Sequence, residues 1–244
     1  NKVFLDVEST GLNPFKDALV CLGYAYDENT PIIKYYPLKM GSFSEISSFL
    51  ACSSLVKVGH NINFDLLFLY NNMYAQETPI QINAPFFDTQ VYWHMIEPNE
   101  SSKLKDLGAR LLKEKVEYLK DIIDPSEKHA SDENYLKIGC SNTKGYGYTK
   151  KEDLERYLKQ DIELTRKPYN LALQNGAPEY YIQIEQPLIK IIFDMEIRGC
   201  KINKEKLFKL EKQFAEEEAS LNNYFLTLGL NPRSPKQVGK YLKD

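Results

Sequence analysis

The sequence predicts an α/β fold in which helices flank a mixed β-sheet, followed by an all-α segment. Two observations support this prediction. Short β-rich runs punctuated by Gly, Pro, Asn and Asp fill about the first 60 residues, whereas apolar residues recur at helical spacing through most of the remaining chain. No run reaches the ~18 apolar residues that span a membrane. With 43% hydrophobic residues among 244, we expect a soluble globular chain of one or two domains, with no membrane partner.

The sheet and its flanking helices are predicted to form a first domain over residues 1–177. The β-rich runs cover residues 2–8, 18–26, 31–37 and 55–59. They indicate an antiparallel opening followed by a further strand. Helical periodicity covers residues 63–74, 88–96, 103–114 and 150–174. Pro168 lacks a backbone donor and should bend or interrupt the last of these helices.

The second domain, over residues 178–244, is predicted to be entirely helical. After Gly176-Ala177-Pro178, periodicity covers residues 179–198 and 204–228, and a last helix opens at Ser234. We expect one apolar stripe of the 204–228 helix to pack against other parts of the protein rather than form a binding groove. The stripe comprises Leu207, Leu210, Phe214, Leu221, Phe225 and Leu228.

Two short segments have the spacing of a capping box, in which a Ser or Thr is followed three positions later by Glu or Gln. They are Thr149-Lys150-Lys151-Glu152 and Ser234-Pro235-Lys236-Gln237. In such a box the hydroxyl accepts a hydrogen bond from the backbone at the start of a helix. We therefore predict that a helix begins at each segment.

Charge and cysteine content argue against several protein classes. The net charge of −3 disfavours a sequence-specific duplex binder, whose affinity depends on a broadly basic face. The four cysteines form no CxxC pair, which supports neither a zinc ribbon nor a disulfide framework and fits a reducing compartment. We interpret most residues of the basic stretches as solvated helix faces. These are Lys103, Lys105, Arg110, Lys113, Lys115, Lys144, Lys150 and Lys151.

Four carboxylates and a tyrosine stand out in three separated blocks. Asp6 and Glu8 lie in an apolar run, where the period of a strand points both side chains to the same side. Asp65 ends the second block, Asn61-Ile62-Asn63-Phe64-Asp65. Tyr157 and Asp161 are four positions apart in a helical stretch and therefore share a helix face.

Gathering these carboxylates predicts divalent metal ions. At ~5 Å spacing and an effective dielectric constant near 20, each like-charge pair costs roughly 3 kcal/mol. The blocks offer only oxygen ligands, which suit Mg²⁺ or Mn²⁺ better than Zn²⁺, and a pair of such ions indicates phosphoryl chemistry. Each block alone has an ordinary alternative: Asp6 and Glu8 at a strand edge, Asp65 as a helix cap, and Tyr157 as one of 17 tyrosines packing a helix.

The three blocks together resemble the motifs of DEDD 3′→5′ exonucleases. The resemblance is to the tyrosine variant, found in the proofreading domain of family A DNA polymerases such as DNA polymerase I and its phage relatives. Residues 6–12 resemble the first motif, 59–65 the second and 157–161 the third. The histidine variant carries His five residues before the last Asp, where this chain has Arg156. The resemblance implies a ribonuclease H-like fold.

The resemblance also implies roles for individual residues. Asp6, Glu8 and Asp161 hold one metal ion, and Asp6 bridges to a second ion supported by Asp65. Tyr157, with Glu8, orients the attacking water. Three further residues are implied to bind the terminal nucleotide: Asn61 and Phe64 as the pocket lining, and Leu12 as a wedge against the base or, alternatively, a loop residue covering the core. The partner is then a single-stranded or frayed 3′ end of DNA.

Later segments are similar to the region that joins exonuclease to polymerase and leads into the thumb. They include Glu185-Gln186-Pro187-Leu188 and Met195-Glu196-Ile197-Arg198-Gly199. Nothing resembles the palm and fingers motifs, so we expect no polymerase activity from this chain. Both chain ends look cut, and the remainder of a polymerase chain is an expected partner. The implied location is the cytoplasm of a bacterial or phage-infected cell, with an organellar origin left open.

Two other functions stay open at this point. One is an RNA-trimming DEDD exonuclease, because the same metal site acts on either backbone. The other is an inactive exonuclease-like scaffold that binds a strand. The stretch from Tyr135 to Tyr148 forms either a loop over the substrate strand or a disordered insertion. Asp88 is interpreted as a structural helix cap, and His60, His94 and His129 as ordinary polar or core residues.

Overall fold

A computed structural model describes residues 1–74, 80–113, 115–139 and 146–243. Five strands form one mixed sheet in the order β3-β2-β1-β4-β5. The strands are β1 (Lys2–Ser9), β2 (Leu19–Tyr26), β3 (Ile32–Tyr35), β4 (Val56–Gly59) and β5 (Phe86–Asp88). The first three run antiparallel, β4 is parallel to β1, and β5 is parallel to β4. The predicted antiparallel opening and further strand are therefore confirmed.

Nine α-helices and a separate β-hairpin complete the described part of the chain. The helices are α1 (Met40–Ala51), α2 (Ile62–Tyr74), α3 (Thr89–Ile96), α4 (Leu104–Leu112), α5 (Leu119–Ile122), α6 (Lys151–Asn175), α7 (Gln186–Arg198), α8 (Lys204–Thr227) and α9 (Pro235–Tyr241). A π-helical turn, Tyr181–Glu185, precedes α7, and a single 3₁₀ turn, Glu127–His129, precedes β6. The hairpin pairs β6 (Tyr135–Gly139) with β7 (Tyr146–Lys150). Within the described ranges, no helix is both long and apolar enough to cross a membrane.

Strand β1 divides the core into two halves. Val3, Leu5 and Val7 point into a cluster that includes side chains of α1, α2 and α7. Phe4 points the other way, into a cluster with side chains of α3 and α6. Because side chains alternate along a strand, Asp6 shares the face of Phe4. The strand therefore directs its carboxylates toward α6.

The N-terminus of α6 differs from the prediction. Helix α6 begins at Lys151 after Lys150, which makes no side-chain capping bond. Thr149 lies in β7, opposite Leu136, and its hydroxyl donates to the Ile122 carbonyl at 3.3 Å. The capping box predicted at Thr149 is therefore wrong, because Thr149 pairs in the β-hairpin and its hydroxyl is not available to cap α6.

The interior of α6 is also more regular than predicted. The helix continues through Pro168 to Asn175, so the expected interruption is absent. Pro168 is buried, and Trp93 Nε1 of α3 donates to its carbonyl at 3.3 Å. We infer that packing between α3 and α6 offsets the backbone hydrogen bond that proline cannot form.

The other predicted capping box is confirmed in part. Ser234 is the N-cap of α9, and its hydroxyl accepts a hydrogen bond from Gln237 N at 3.4 Å. The Gln237 side chain accepts from Asn231 N rather than from the cap itself.

The chain divides into two compact units, Asn1–Ile197 and Arg198–Asp244. The first unit extends about 20 residues beyond the predicted domain boundary at 177, because Ile189 and Phe193 of α7 are buried in the core half beneath β1. The boundary between exonuclease and polymerase segments remains a prediction.

Within the second unit, α8 contributes no buried side chain. The expected packing of its apolar stripe is wrong for the described chain. Leu207, Leu210, Phe214 and Leu221 are all exposed.

Candidate active site and metal centre

Three carboxylates converge between β1 and α6. Asp6 and Glu8 come from β1, and Asp161 comes from α6. One oxygen from each lies within 4.8 Å of the others. Gly23 of β2, paired with Asp6, makes this approach possible, because a side chain there would lie 2.8 Å from Leu158 Cγ of α6. The glycine lets α6 settle closely over the sheet.

Asp65 is buried beside this cluster but is not one of its three members. Its Oδ1 accepts a hydrogen bond from Val7 N at 3.0 Å, so it is fixed to the backbone between Asp6 and Glu8. It does not begin its helix. That role belongs to Asp88, whose carboxylate accepts from Asn61 N and Ile62 N at 3.0 and 2.9 Å.

Burial and mutual repulsion make the charged forms of these acidic side chains costly. Burial raises the pKa of Asp6 from 3.8 to about 6. Burial and the neighbouring Asp6 charge raise the pKa of Glu8 from 4.5 to about 8. Burial and Asp6 likewise raise the pKa of Asp65 well above its usual value. Carboxylates of this kind bind a hard divalent cation readily, because the cation offsets their mutual repulsion.

Lys105 enters the same cluster from α4. Its ammonium forms an ion pair with Asp161 and lies 4.2 Å from the centre of the Tyr157 ring, and its side chain is 11% exposed. Burial lowers the pKa of Lys105 to about 8, against the opposing effect of the Asp6 and Glu8 charges. The interpretation as a solvated helix face is therefore wrong for Lys105. The same interpretation agrees with the exposure of its neighbour Lys103.

Tyr157 and Asp161 are both buried on the same side of α6, one turn apart. The two side chains therefore share one face of the helix, as the spacing predicted.

The three residues predicted to bind the terminal nucleotide share one pocket. Leu12, Asn61 and Phe64 line a cavity of about 490 Å³, together with Phe15 and Glu196. Leu12 is 66% exposed, so it does not cover the core. Sequence reasoning missed Phe15, which is 57% exposed in the loop after β1. The sequence signal that could have identified Phe15 is a large aromatic residue directly after Gly-Leu-Asn-Pro, in a segment that predicts an exposed loop.

Asp88 and His60 have structural roles. Asp88 is the N-cap of α3, as interpreted from the sequence, and accepts from Gln90 N and Val91 N. His60 contacts Thr89 Oγ1 through Nδ1 at 2.9 Å, and burial lowers its pKa to about 4. His60 is therefore a buried neutral residue, as the sequence interpretation expected.

The tyrosine- and glycine-rich stretch and the cysteines are partly described. Residues 135–139 and 146–150 pair as the β6–β7 hairpin, whereas residues 140–145, including Cys140 and Lys144, lie outside the described residues. Tyr146 donates to Asp17 Oδ1 at 3.3 Å, which places the hairpin next to the loop after β1. Cys21, Cys52 and Cys200 are free thiols.

Solved structures share this fold. The POL domain of Pol1 from M. smegmatis, in complex with DNA primer-template and dNTP, gives a TM-score of 0.61 at 13% identity, over 97% of this chain and 35% of that chain. Brucella melitensis NrnC with bound Mg²⁺ gives a TM-score of 0.51 at 18% identity, over 79% of this chain and 80% of that chain. The predicted ribonuclease H-like α/β fold is confirmed.

Sequence comparison identifies the family. DNA polymerase I of Synechocystis sp. is 26% identical over 259 residues, which cover 98% of this chain and 24% of the relative. The chain therefore spans about a quarter of the length of this curated relative. A family model described as a 3′-5′ exonuclease matches residues 1–136, more than half of the chain. The chain thus belongs to the 3′-5′ exonuclease family of family A DNA polymerases.

Proposed function

We propose that this chain is a metal-dependent exonuclease that removes the 3′-terminal nucleotide of DNA and releases a 5′-mononucleotide. The observation that carries the proposal is the convergence of Asp6, Glu8 and Asp161, with ligand oxygens within 4.8 Å of one another. The proposed setting is proofreading as part of a longer polymerase chain, in the cytoplasm.

The donor set fits two divalent ions, Mg²⁺ or Mn²⁺. Asp6, Glu8 and Asp161 would hold one ion, while Asp6 and the adjacent Asp65 would support the other. When bound, the ions supply charge stabilisation for an in-line displacement at the phosphodiester. The raised pKa values of Asp6 and Glu8 support this assignment, because each carboxylate is more stable beside a cation than alone.

Tyr157 and Glu8 would orient the attacking water. Tyr157 lies one turn from Asp161 on the buried side of α6, so its hydroxyl is directed by a rigid helix rather than by a loop. A positioned donor or acceptor of this kind contributes about 10- to 1000-fold, on the order of 1–4 kcal/mol of barrier.

The pocket supports binding of an unpaired terminal nucleotide. Phe64 and exposed Phe15 offer faces on which a base can stack, and Leu12 protrudes at the rim. A paired end must first open, at about 1.4 kcal/mol of stacking for each base-pair step. We therefore expect single-stranded or mismatched 3′ ends to be cut one to two orders of magnitude faster than paired ends.

The test is degradation of a 3′-labelled single strand in Mg²⁺ by wild type, Asp6→Ala and Asp161→Ala. Both variants should lose at least about 1000-fold in rate because each breaks the metal site. Glu152→Ala, an exposed carboxylate on the same helix, is the matched control and should keep wild-type activity. Activity retained by Asp6→Ala would refute the site. An inactive wild type would favour the scaffold alternative.

The same assay identifies the substrate. An RNA strand of matched sequence should be degraded more slowly than DNA. Faster degradation of RNA would favour the RNA-trimming function over proofreading. Leu12→Ala should slow cutting of single-stranded and paired ends alike, with the melting temperature nearly unchanged because the side chain is exposed. If Leu12→Ala cuts both substrates as fast as wild type, Leu12 does not act as a wedge against the terminal base.

A further inference from the structure

We propose that Lys105 is a built-in competitor of the metal ion. Its ammonium occupies the carboxylate cluster when no divalent ion is bound, and metal binding displaces it from Asp161. The inference rests on the proposed function only in taking Asp161 as a metal ligand.

The contacts of Lys105 place its charge inside the candidate metal centre. The ammonium forms an ion pair with Asp161 and lies over the Tyr157 ring, 4.2 Å from its centre. Both side chains of the ion pair are nearly buried, at 11% and 7% exposure. The ammonium is also close enough to Asp6 and Glu8 for their charges to act on it. One cation thus touches or faces all three carboxylates proposed to hold the metal.

Gly108 explains how a lysine of α4 reaches this position. It is one turn after Lys105 and therefore on the same side of α4. A side chain at Gly108 would place its Cβ 2.5 Å from Leu164 Cδ2 of α6. A side chain there would displace Leu164, so glycine favours this close approach of the two helices. The short distance between them lets the Lys105 side chain extend along α6 to Asp161.

An ammonium and a divalent ion cannot share the same carboxylates without strong repulsion. Both carry positive charge, and at a separation of ~5 Å inside a protein such repulsion exceeds thermal energy several-fold. Lys105 has a flexible four-carbon stem, so it can withdraw while Asp161 stays in place on α6. Metal binding therefore replaces one cation by another, and its apparent affinity is reduced by the loss of the ion pair.

The first test is calorimetric titration of the metal-free chain with Mn²⁺ alone, with no nucleic acid present. Lys105→Met keeps the length of the side chain but removes its charge, so the variant should bind Mn²⁺ at least about 10-fold more tightly than wild type. Lys103→Met, at an exposed position of the same segment, is the matched control and should bind as wild type does. Equal or weaker affinity of Lys105→Met would overturn the proposal.

A second measurement on the wild-type chain applies if Lys105→Met fails to fold. Stacking over the Tyr157 ring should shift the NMR signals of the Lys105 ε-methylene upfield, and Lys105→Arg identifies the signal by its loss. Saturating Mg²⁺ should return the signal toward the position of a solvated lysine. A signal that keeps its upfield shift at saturating Mg²⁺ shows that the ammonium stays in place, and the proposal is then wrong.

The two proposals fail separately. Competition between Lys105 and Mn²⁺ without any degradation of DNA would contradict the exonuclease function and leave the competitor role standing. If the chain degrades DNA but Lys105→Met leaves its Mn²⁺ affinity unchanged, the competitor role is wrong and the exonuclease function stands.

Discussion

Alternation along β1 decides which helix completes the carboxylate cluster. Val7 points into the core half that contains α2, whereas Asp6 and Glu8 share the opposite face with Phe4, toward α6. Asp65 of α2 accepts a hydrogen bond from the backbone of Val7, and the Asp6 charge is close enough to raise its pKa. The fourth acidic residue is thus fixed to the strand through the backbone between the other two positions.

Tyr157→Phe should slow hydrolysis by about 10- to 1000-fold without eliminating it, because it removes a positioning hydroxyl and keeps the ring. The ring that contacts Lys105 remains, so Mn²⁺ affinity should change little. Single-turnover rates on a labelled strand and calorimetric metal titration measure the two effects. Tyr180→Phe, at an exposed tyrosine, is the control. A loss as severe as that of Asp161→Ala would contradict the water-orienting role.

The metal-free chain should become less stable as pH rises from 6.5 to 8. The pKa of Glu8 is about 8 in the folded state and 4.5 ordinarily, so the folded state binds the extra proton in this window. The free energy of unfolding then decreases with pH. Asp65, whose pKa is also raised, adds to this decrease, whereas Lys105 and Lys57, whose pKa values are lowered to about 8, oppose it near the upper end of the window. His60, with its lowered pKa of about 4, is neutral in both states over most of this range and contributes little.

Urea unfolding in EDTA at pH 6.5 and pH 8 measures this dependence. Glu8→Gln should flatten it because the titrating group is gone, and saturating Mg²⁺ should reduce it because the cation takes over the stabilising role of the proton. A wild-type stability that rises with pH in EDTA would show that Glu8 is not protonated in the folded state.

At the level of elements, one carboxylate connects two helices to the sheet. Asp88 ends β5 and accepts hydrogen bonds at the N-termini of both α2 and α3. Its backbone exchanges hydrogen bonds with the Tyr181 hydroxyl. Asn61, which lines the pocket, is therefore held by the same residue that starts α3.

Asp88→Ala should lower the free energy of unfolding by about 2–4 kcal/mol, because it leaves two helix N-termini without their acceptor. Urea unfolding at pH 7 measures the loss. Ser126→Ala, which removes the cap of a single short turn, should cost less than about 1 kcal/mol. If the two variants lose equal stability, Asp88 does not join the helices as described.

Patterns confined to one element predicted much of the fold and candidate site. The period of β1 predicted the shared face of Asp6 and Glu8, and helical spacing predicted that of Tyr157 and Asp161. Helix α1 was missed because its sequence is rich in serine, a weak helix former, and only Ile46, Phe49 and Leu50 of its twelve residues are buried. Strand β5 was missed because it has only three residues, too few for an alternating pattern.

Features that depend on two elements could not be predicted from local patterns. Lys105 has the sequence of a solvated helical lysine, and only the approach of α4 to α6 at Gly108 buries it. Thr149 has a valid capping spacing, but pairing with β6 places it in a strand. In both cases a tertiary contact overrode a correct local rule.

At the scale of the whole molecule, the compact unit that ends at Ile197 should fold without the following residues. A fragment of residues 1–197 should keep nuclease activity and a melting temperature within a few degrees of the full chain, because α8 contributes no buried side chain. Calorimetry and the strand-degradation assay measure these properties.

A fragment of residues 1–177 is the informative comparison. It lacks Tyr181, Ile189 and Phe193, which are all buried, and each large buried side chain contributes about 2–5 kcal/mol. The sum is comparable with a total stability of about 5–15 kcal/mol, so this fragment should not fold cooperatively. Cooperative unfolding of residues 1–177 would place α7 outside the exonuclease unit after all.

The distance in sequence between β1 and α6 sets the time at which cleavage chemistry becomes available during synthesis. Asp6 leaves the ribosome before Asp161, which follows about 150 residues later, roughly 8 to 30 s at ordinary translation rates. Until α6 emerges and docks, the nascent chain carries two of the three clustered carboxylates and cannot complete their cation site. The candidate cation site is therefore completed only when the first compact unit is nearly finished, late in its synthesis.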